Sequence, residues 1–194
     1  MANINHKPSK YMLNLLHVLP SFVNEEKNIV NTIVEINAGT LNKYEIITES
    51  GTLKLDRVGY SSLAYPVTYG AIPRTLDHDK DAIDVLIVGV TEPLPAGCLV
   101  EARVIGVMKF IDSGEVDDKI ITVLNDDKRM DHIHTLEQLG DHVIKEMQHY
   151  FEHYKDLKKP GLCEVKGFFD VKEALKTIKE CAQRYEIDYA PKLE

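Results

Sequence analysis

Tryptophan is absent from the 194 residues, cysteine occurs three times, and aromatic side chains make up only 7%. Cys98, Cys163 and Cys181 are isolated, odd in number and without metal-ligand spacing. They argue against a disulfide-stapled scaffold and a zinc ribbon, and are expected to be reduced, non-catalytic thiols in a cytoplasmic protein. Positive charge is scarce too: 23 Lys and Arg face 31 Asp and Glu, a formal net charge of −8. Phosphate backbones are bound by clustered Lys and Arg, so no nucleic acid is expected as a partner. No stretch approaches the roughly 20 apolar residues of a membrane span, and no membrane association is expected. Met12-Leu13-Leu15-Leu16-Val18-Leu19 is the one leader-like segment. Asn14 and His17 interrupt it and no small-residue cleavage site follows, so it reads as a short amphipathic turn.

What is present suits a single domain over residues 1–194, with a 44% hydrophobic fraction ordinary for a soluble globular chain. Residues 29–36 are β-branched and read as a strand containing one carboxylate, Glu35. Residues 43–48 and 52–57 alternate around a Ser50-Gly51 turn and read as a hairpin with Lys43 and Glu45 on one face. Residues 60–76 are tyrosine-rich and loop-like. Val85-Leu86-Ile87-Val88 is a buried-strand run; 99–111 reads as a long strand kinked at Gly106, and 120–124 as another strand. After residue 130 the period changes. Val143, Ile144, Met147, Tyr150, Phe151 and Tyr154 predict a helix over 141–155 with Asp141 as N-cap. Asp170-x-x-Glu173 resembles a capping box opening a second helix over 171–184. Strands first and helices last predict an α+β fold built on a small closed or nearly closed barrel.

The chemistry concentrates in Asp77-His78-Asp79-Lys80-Asp81-Ala82-Ile83-Asp84, directly before an apolar strand. Carboxylates so crowded repel and are costly to desolvate unless cations offset them. Hard oxygen donors suit Mg²⁺, Mn²⁺ or Ca²⁺, although a solvated acidic turn is the commoner occurrence for such a triplet alone. An EF-hand is excluded because its Gly and Glu are missing at their offsets. A second acidic turn, Asp112 to Asp118, is closed by Lys119.

Taken in order, Val34-Glu35-Ile36, Lys43-Tyr44-Glu45-Ile46, Asp56-Arg57, Tyr65-Pro66-x-x-Tyr69-Gly70, Asp79-x-Asp81-x-x-Asp84-Val85, Gly106-Val107-x-Lys109-x-x-Asp112, Asp117-x-Lys119 and His153-Tyr154-Lys155-Asp156-Leu157 resemble the family I soluble inorganic pyrophosphatases of bacterial size. The resemblance runs from about residue 20 to 185. It implies a five-stranded OB-like closed β-barrel with flanking strands and two main C-terminal helices. It also implies hydrolysis of diphosphate with three to four Mg²⁺ per site, and a homohexamer. By the same resemblance Asp79, Asp84 and Asp117 would hold the activating metals, Asp112 and Glu35 would assist further metals or their waters, and Asp81 would be the general base. Lys43, Arg57, Tyr69, Lys119, Tyr154 and Lys155 would contact phosphate, and Glu45 lies at a site position. Three positions depart from the family's pattern: Lys80 and Ala82 stand where Gly and Pro are usual, and Ser113 where an acidic residue often follows.

Charge agrees independently. Seven carboxylates (Glu35, Glu45, Asp79, Asp81, Asp84, Asp112, Asp117) against four cations (Lys43, Arg57, Lys119, Lys155) would repel diphosphate until metal reverses the balance. Two rivals stand beside this reading. His149-Tyr150-Phe151-Glu152-His153 matches the H-x-x-E-H pattern of inverted zinc metalloproteases, a pattern with frequent false matches. An oligonucleotide-binding barrel is disfavoured by the charge and the want of a basic aromatic face.

Overall fold

The computed structural model describes residues 14–189, so Met12 and Leu13 of the expected turn lie outside the described residues. The remainder of that turn is a four-residue helix, α1 (Leu15–Val18), which Asn14 caps by accepting the Leu16 amide at 3.0 Å. In chain order the strands are β1 (Phe22–Asn24), β2 (Ile29–Ile36), β3 (Asn42–Ile46), β4 (Leu53–Val58), β5 (Thr68–Ala71), β6 (Asp84–Val88), β7 (Leu99–Asp112), β8 (Glu115–Val116) and β9 (Lys119–Leu124). Two short 3₁₀ turns (Lys128–Met130 and Leu136–Leu139), helix α2 (Asp141–His153), strand β10 (Cys163–Phe169) and helix α3 (Val171–Asp188) complete the described fold.

Five strands close on themselves in the order β2, β5, β6, β9, β7 and back to β2. The β6–β9 junction is parallel and the other four are antiparallel. Strands β1, β8 and β10 flank the barrel, while β3 and β4 stand apart as a hairpin. The predicted α+β barrel is therefore present, including its two C-terminal helices.

Both faces of the barrel strands are covered, which is why they read as continuous apolar runs. On β6, Leu86 and Val88 join the cluster closed by Met147, Tyr150 and Phe151 of α2. Val85 and Ile87 face the cluster closed by Ala174, Ile178 and Cys181 of α3. On β7 the alternation changes phase: Ala102 and Val104 face α3's cluster, but so does Val107, while Ile105, Met108 and Phe110 face α2's. The pairing with β9 slips between Val104 and Gly106, so the kink expected at Gly106 is a β-bulge that lets one long strand serve both cores.

Five expectations need correction. The stretch 60–76 is not all loop, because Thr68–Ala71 is a fully buried barrel strand. Flanking prolines and the lack of alternation hid it. Its Gly70 lets β5 approach β2 so closely that a Cβ there would lie 2.3 Å from the Ile33 carbonyl oxygen. Strands do not all precede helices, since β10 lies between α2 and α3 and pairs with β7 at the sheet edge. Helix α2 begins at Asp141 itself, with Gly140 (φ +86) as its N-cap, leaving Asp141 to meet the positive helix end. In α3 the Asp170 carboxylate caps the Glu173 amide at 3.0 Å, but the reciprocal half of a box is not made: Glu173 reaches Lys109 instead, at 3.4 Å. α3 also runs on past residue 184 to Asp188.

The closeness of β5 to β2 generates a prediction. Gly70→Ala should lower unfolding stability by about 2 to 3 kcal/mol, because strand backbone cannot yield as a flexible side chain does. A urea denaturation midpoint equal to wild type would contradict it.

Candidate active site

The predicted site residues come from barrel strands, the β3–β4 hairpin, two acidic turns and the end of α2. Asp79 and Asp81 occupy the turn before β6, and Asp84 is the first residue of that strand. The turn is held by its own backbone: the Asp77 amide donates to the Asp81 carbonyl at 2.7 Å, and the Asp81 amide to the Asp79 carboxylate at 3.1 Å. Lys80 lies at φ +76, a left-handed conformation that suits the glycine usual there. Ser113 is likewise left-handed (φ +55), and its hydroxyl donates to Asp112 at 2.8 Å.

The parallel pairing of β6 with β9 sets Asp84 directly opposite Lys119. The Lys119 ammonium, on a side chain only 2% exposed, donates to Asp84 at 2.5 Å and to Asp117 at 2.7 Å. Burial alone would lower its pKa, but the Asp117 and Asp84 charges win and hold it raised. Tyr69 on β5 donates its hydroxyl to the same Asp84 carboxylate.

One cleft gathers Glu35, Lys43, Glu45, Tyr69, Asp79, Asp81, Asp84 and Asp117. Lys43 also lines a second recess, with Arg57, Tyr65, Tyr150 and Tyr154. Lys43 is paired with Glu45, and Arg57 with Asp56 at 2.7 Å. The remaining predicted residues lie just outside the two recesses: Asp112 accepts from Lys155 and, at 2.9 Å, from the Tyr154 hydroxyl. Lys119 lies under the cleft rather than lining it.

The electrostatics are those of a site short of positive charge. Burial, then the Asp84 charge, push Glu35 up to about 8, even though it accepts the Ile46 amide at 2.7 Å. Burial, then Asp79, Glu45 and Asp84, push Asp81 up to about 6. Asp79 and Asp117 are raised as well, chiefly by burial. Asp112 is the exception: burial opposes it, yet hydrogen bonds from Lys155, Ser113 and Tyr154 hold it down at about 2.

Sequence reasoning missed Leu16 and Ala82 in the cleft wall and Thr48, whose hydroxyl donates to Asp81 at 3.3 Å. A lone threonine near a hairpin tip carries no sequence signal of such a contact. The H-x-x-E-H pattern assembles nothing comparable. His153 Nδ1 donates to the His149 carbonyl of its own helix at 2.8 Å, and the two rings lie 4.5 Å apart on the exposed face of α2.

A model of the inorganic pyrophosphatase family matches residues 32–186. This chain belongs to the inorganic pyrophosphatase family. It is similar to the inorganic pyrophosphatase of Neisseria meningitidis serogroup B, 47% identical over 158 residues, covering 81% of this chain and 89% of that protein. The inorganic pyrophosphatase of Geobacillus stearothermophilus is 42% identical over 160 residues, covering 82% of this chain and 96% of the relative. Among solved structures, an inorganic pyrophosphatase from Neisseria gonorrhoeae superposes with a TM-score of 0.83 at 43% identity, over 87% of this chain and 97% of that one. The inorganic pyrophosphatase of Thermus thermophilus gives 0.82 at 39%, over 90% and 99%.

The cleft of this pyrophosphatase-family chain fits hard divalent cations. Its anionic groups are all carboxylates, with no His or Cys lining it, and its raised carboxyls mark a place where added positive charge lowers the energy. Among the described residues no three His, Cys, Asp or Glu side chains are already gathered as a cage. Lysine ammoniums hold the carboxylates instead, Lys119 on Asp84 and Asp117 and Lys155 on Asp112. Lys119→Met should therefore destabilise the metal-free protein by about 3 kcal/mol, the low end for breaking a buried pair, because the stranded Asp84 and Asp117 are only partly buried. Thermal unfolding with EDTA and then with excess Mg²⁺ checks it: the deficit should shrink with Mg²⁺, and an unchanged wild-type midpoint in EDTA would contradict it.

Proposed function

We propose that this chain hydrolyses inorganic diphosphate to two orthophosphates at this cleft, with divalent cations and with Mg²⁺ preferred. The observation that carries the reading is the convergence of Glu35, Asp79, Asp81, Asp84 and Asp117 in one cleft walled by Lys43 and Tyr69, within a chain of this family. Asp79, Asp84 and Asp117 would hold the metals nearest the attacking water, with Asp112 and Glu35 serving further ones, three to four in all. Bound cations would supply charge neutralisation of the diphosphate and a more acidic water.

The chain's own residues then orient and exchange protons. Lys43, Arg57, Tyr69, Tyr154 and Lys155 donate to phosphate oxygens, spreading the charge that builds as the bridging P–O bond breaks, while Lys119 acts from beneath the cleft through Asp84 and Asp117. Lys43 is already held in the cleft by Glu45, so an incoming phosphate oxygen exchanges one anionic partner for another without reorienting the ammonium. Asp81 takes the proton from the attacking water as its oxygen bonds to phosphorus, and the bridging electron pair leaves with the second phosphate.

The same reading takes residues 1–194 as one domain, cytoplasmic, with neither nucleic acid nor membrane as partner, and homohexameric. The exposed His149 and His153 of α2 would lie at a contact between trimers, as the family resemblance implies. Among the described residues no helix is long and apolar enough to cross a membrane.

Two measurements test the assignment. Phosphate release from diphosphate by the purified protein should require Mg²⁺; equal release in excess EDTA would refute it. Asp84→Asn should recover part of its activity as Mg²⁺ is raised, because the loss is one of affinity. Asp81→Asn should remain slower by about 10²- to 10⁴-fold at any Mg²⁺, the range for a lost general base. Identical responses of the two variants to Mg²⁺ would remove Asp81 from that role.

A further inference from the structure

The family match begins at residue 32, yet a segment before it forms part of the cleft. Leu16 of α1 is 3% exposed and lines the cleft beside Glu35 and Asp81, packed on Ile33 and Ala71 with Ile46 and Ala82 against it. Its carbonyl accepts the Arg74 amide at 2.8 Å, which ties α1 to the chain leaving β5.

On either side of Leu16, two residues of this segment grip one peptide carbonyl. Asn14 is buried and donates its Nδ2 to the Thr48 carbonyl at 2.8 Å. His17 Nε2 lies 2.7 Å from the same oxygen. A carbonyl only accepts, so the proton is on Nε2, and Nδ1 accepts the Tyr185 hydroxyl at 2.8 Å. The imidazole is stacked on Tyr189 at 4.9 Å and on Tyr185 at 5.8 Å. Burial lowers its pKa, in keeping with the neutral tautomer this arrangement requires.

The grip leaves the Thr48 side chain free, and its hydroxyl donates to Asp81 Oδ1 at 3.3 Å. Among the described residues Thr48 is the one side chain that donates to the Asp81 carboxylate. A base aimed by a single donor on one oxygen keeps its other oxygen open to water. A donor can aim it only if the donor's own backbone is held; the turn's own hydrogen bonds fix the neighbouring Ile47, while the Thr48 carbonyl is met from outside the hairpin. The two side chains of the α1 segment supply that hold.

We infer that Thr48 is a positioning residue for Asp81, and that Asn14 and His17, buttressed by Tyr185, fix Thr48 by clamping its carbonyl. This rests on the reading of Asp81 as the base. The rate of proton transfer depends on that aim, whereas diphosphate and metal affinity do not. Loss of the Thr48 hydroxyl should therefore appear in kcat and leave KM unmoved.

The test is steady-state hydrolysis of diphosphate by the full chain, with kcat, KM and Mg²⁺ half-saturation measured separately. Thr48→Val should lower kcat about threefold to tenfold, the range of one neutral hydrogen bond, with KM and Mg²⁺ half-saturation unchanged. Thr48→Ser, which keeps the hydroxyl, should stay within about twofold of wild type. His17→Phe keeps the stacking but loses the donor and should lower kcat in the same manner. His17→Gln places an N–H where Nε2 was and should restore much of it. In an Asp81→Asn background, Thr48→Val should have no further effect, since residues acting through one group are not additive. The inference is overturned if Thr48→Val matches wild type while Asp81→Asn is slow, if Thr48→Ser falls as far as Thr48→Val, or if the losses multiply in the double variant. Should His17→Phe fail to fold, the Thr48 pair decides alone. Wild-type protein that releases no phosphate, or an Asp81→Asn variant of full activity, would instead sink the reading of the site itself and the inference with it.

Discussion

An ammonium on a side chain 2% exposed is tolerable only when anions meet it, and Lys119 has two of them, Asp84 and Asp117. The faces of Phe110, Tyr69 and Phe151 lie 5.4, 5.6 and 5.9 Å from the same nitrogen. Those groups come from β5, β6, β7, the turn before β9 and α2. The parallel register that closes the barrel between β6 and β9 is also the register that sets Lys119 against Asp84. Slipping it by one residue would turn every side chain of β6 to the opposite core and take Asp84 away from the ammonium. Barrel closure, the packing of α2 and the charge balance of the cleft thus depend on a single buried ion cluster.

Above that cluster the cleft is built against its own stability. Glu35, Asp79, Asp81 and Asp117 are all raised, each chiefly by burial, with neighbouring carboxylates adding to it. A core selected for stability alone would replace such groups with apolar ones of the same size. The strain is meaningful if cations arrive with the substrate, since each positive charge relieves both the protein and the diphosphate. Asp112, already satisfied by Lys155, Ser113 and Tyr154, is the least needy carboxylate of the set. Ser113, one of the departures from the family pattern, supplies one of these hydrogen bonds at 2.8 Å.

The ends of the described chain are part of the same construction. α1 and the last turn of α3 are remote in sequence, yet they meet at His17 and Tyr185 beside the β3–β4 hairpin. α3 also reaches the acidic turn from behind: Arg184 donates to the Leu76 carbonyl at 2.8 Å and to Asp77 at 3.0 Å. The turn that carries Asp79 and Asp81 is therefore braced on one side by α3 and faced on the other by Thr48.

Much of this was legible along the chain because it depends on short-range chemistry. The crowding of Asp79, Asp81 and Asp84 before an apolar run, the β3–β4 hairpin around Gly51, the bulge at Gly106 and the Asp170 cap all follow from side-chain type and spacing of a few residues. The order of the matching motifs carried the family and, through it, the candidate site. What the sequence did not disclose were relations between distant segments. Thr68–Ala71 reads as loop because its strand character comes from being sandwiched between β2 and β6, with Gly70 admitting the neighbouring backbone. β10 was not expected between the helices, and as an edge strand it buries only part of its length. That Lys119 is buried while Lys43 lines the cleft, and that Thr48 touches Asp81, depends on which strands became neighbours. Local propensity fixes how side chains are spaced on one segment. Only closure of the barrel, which buries both faces of its strands at once, decides which segments those side chains meet.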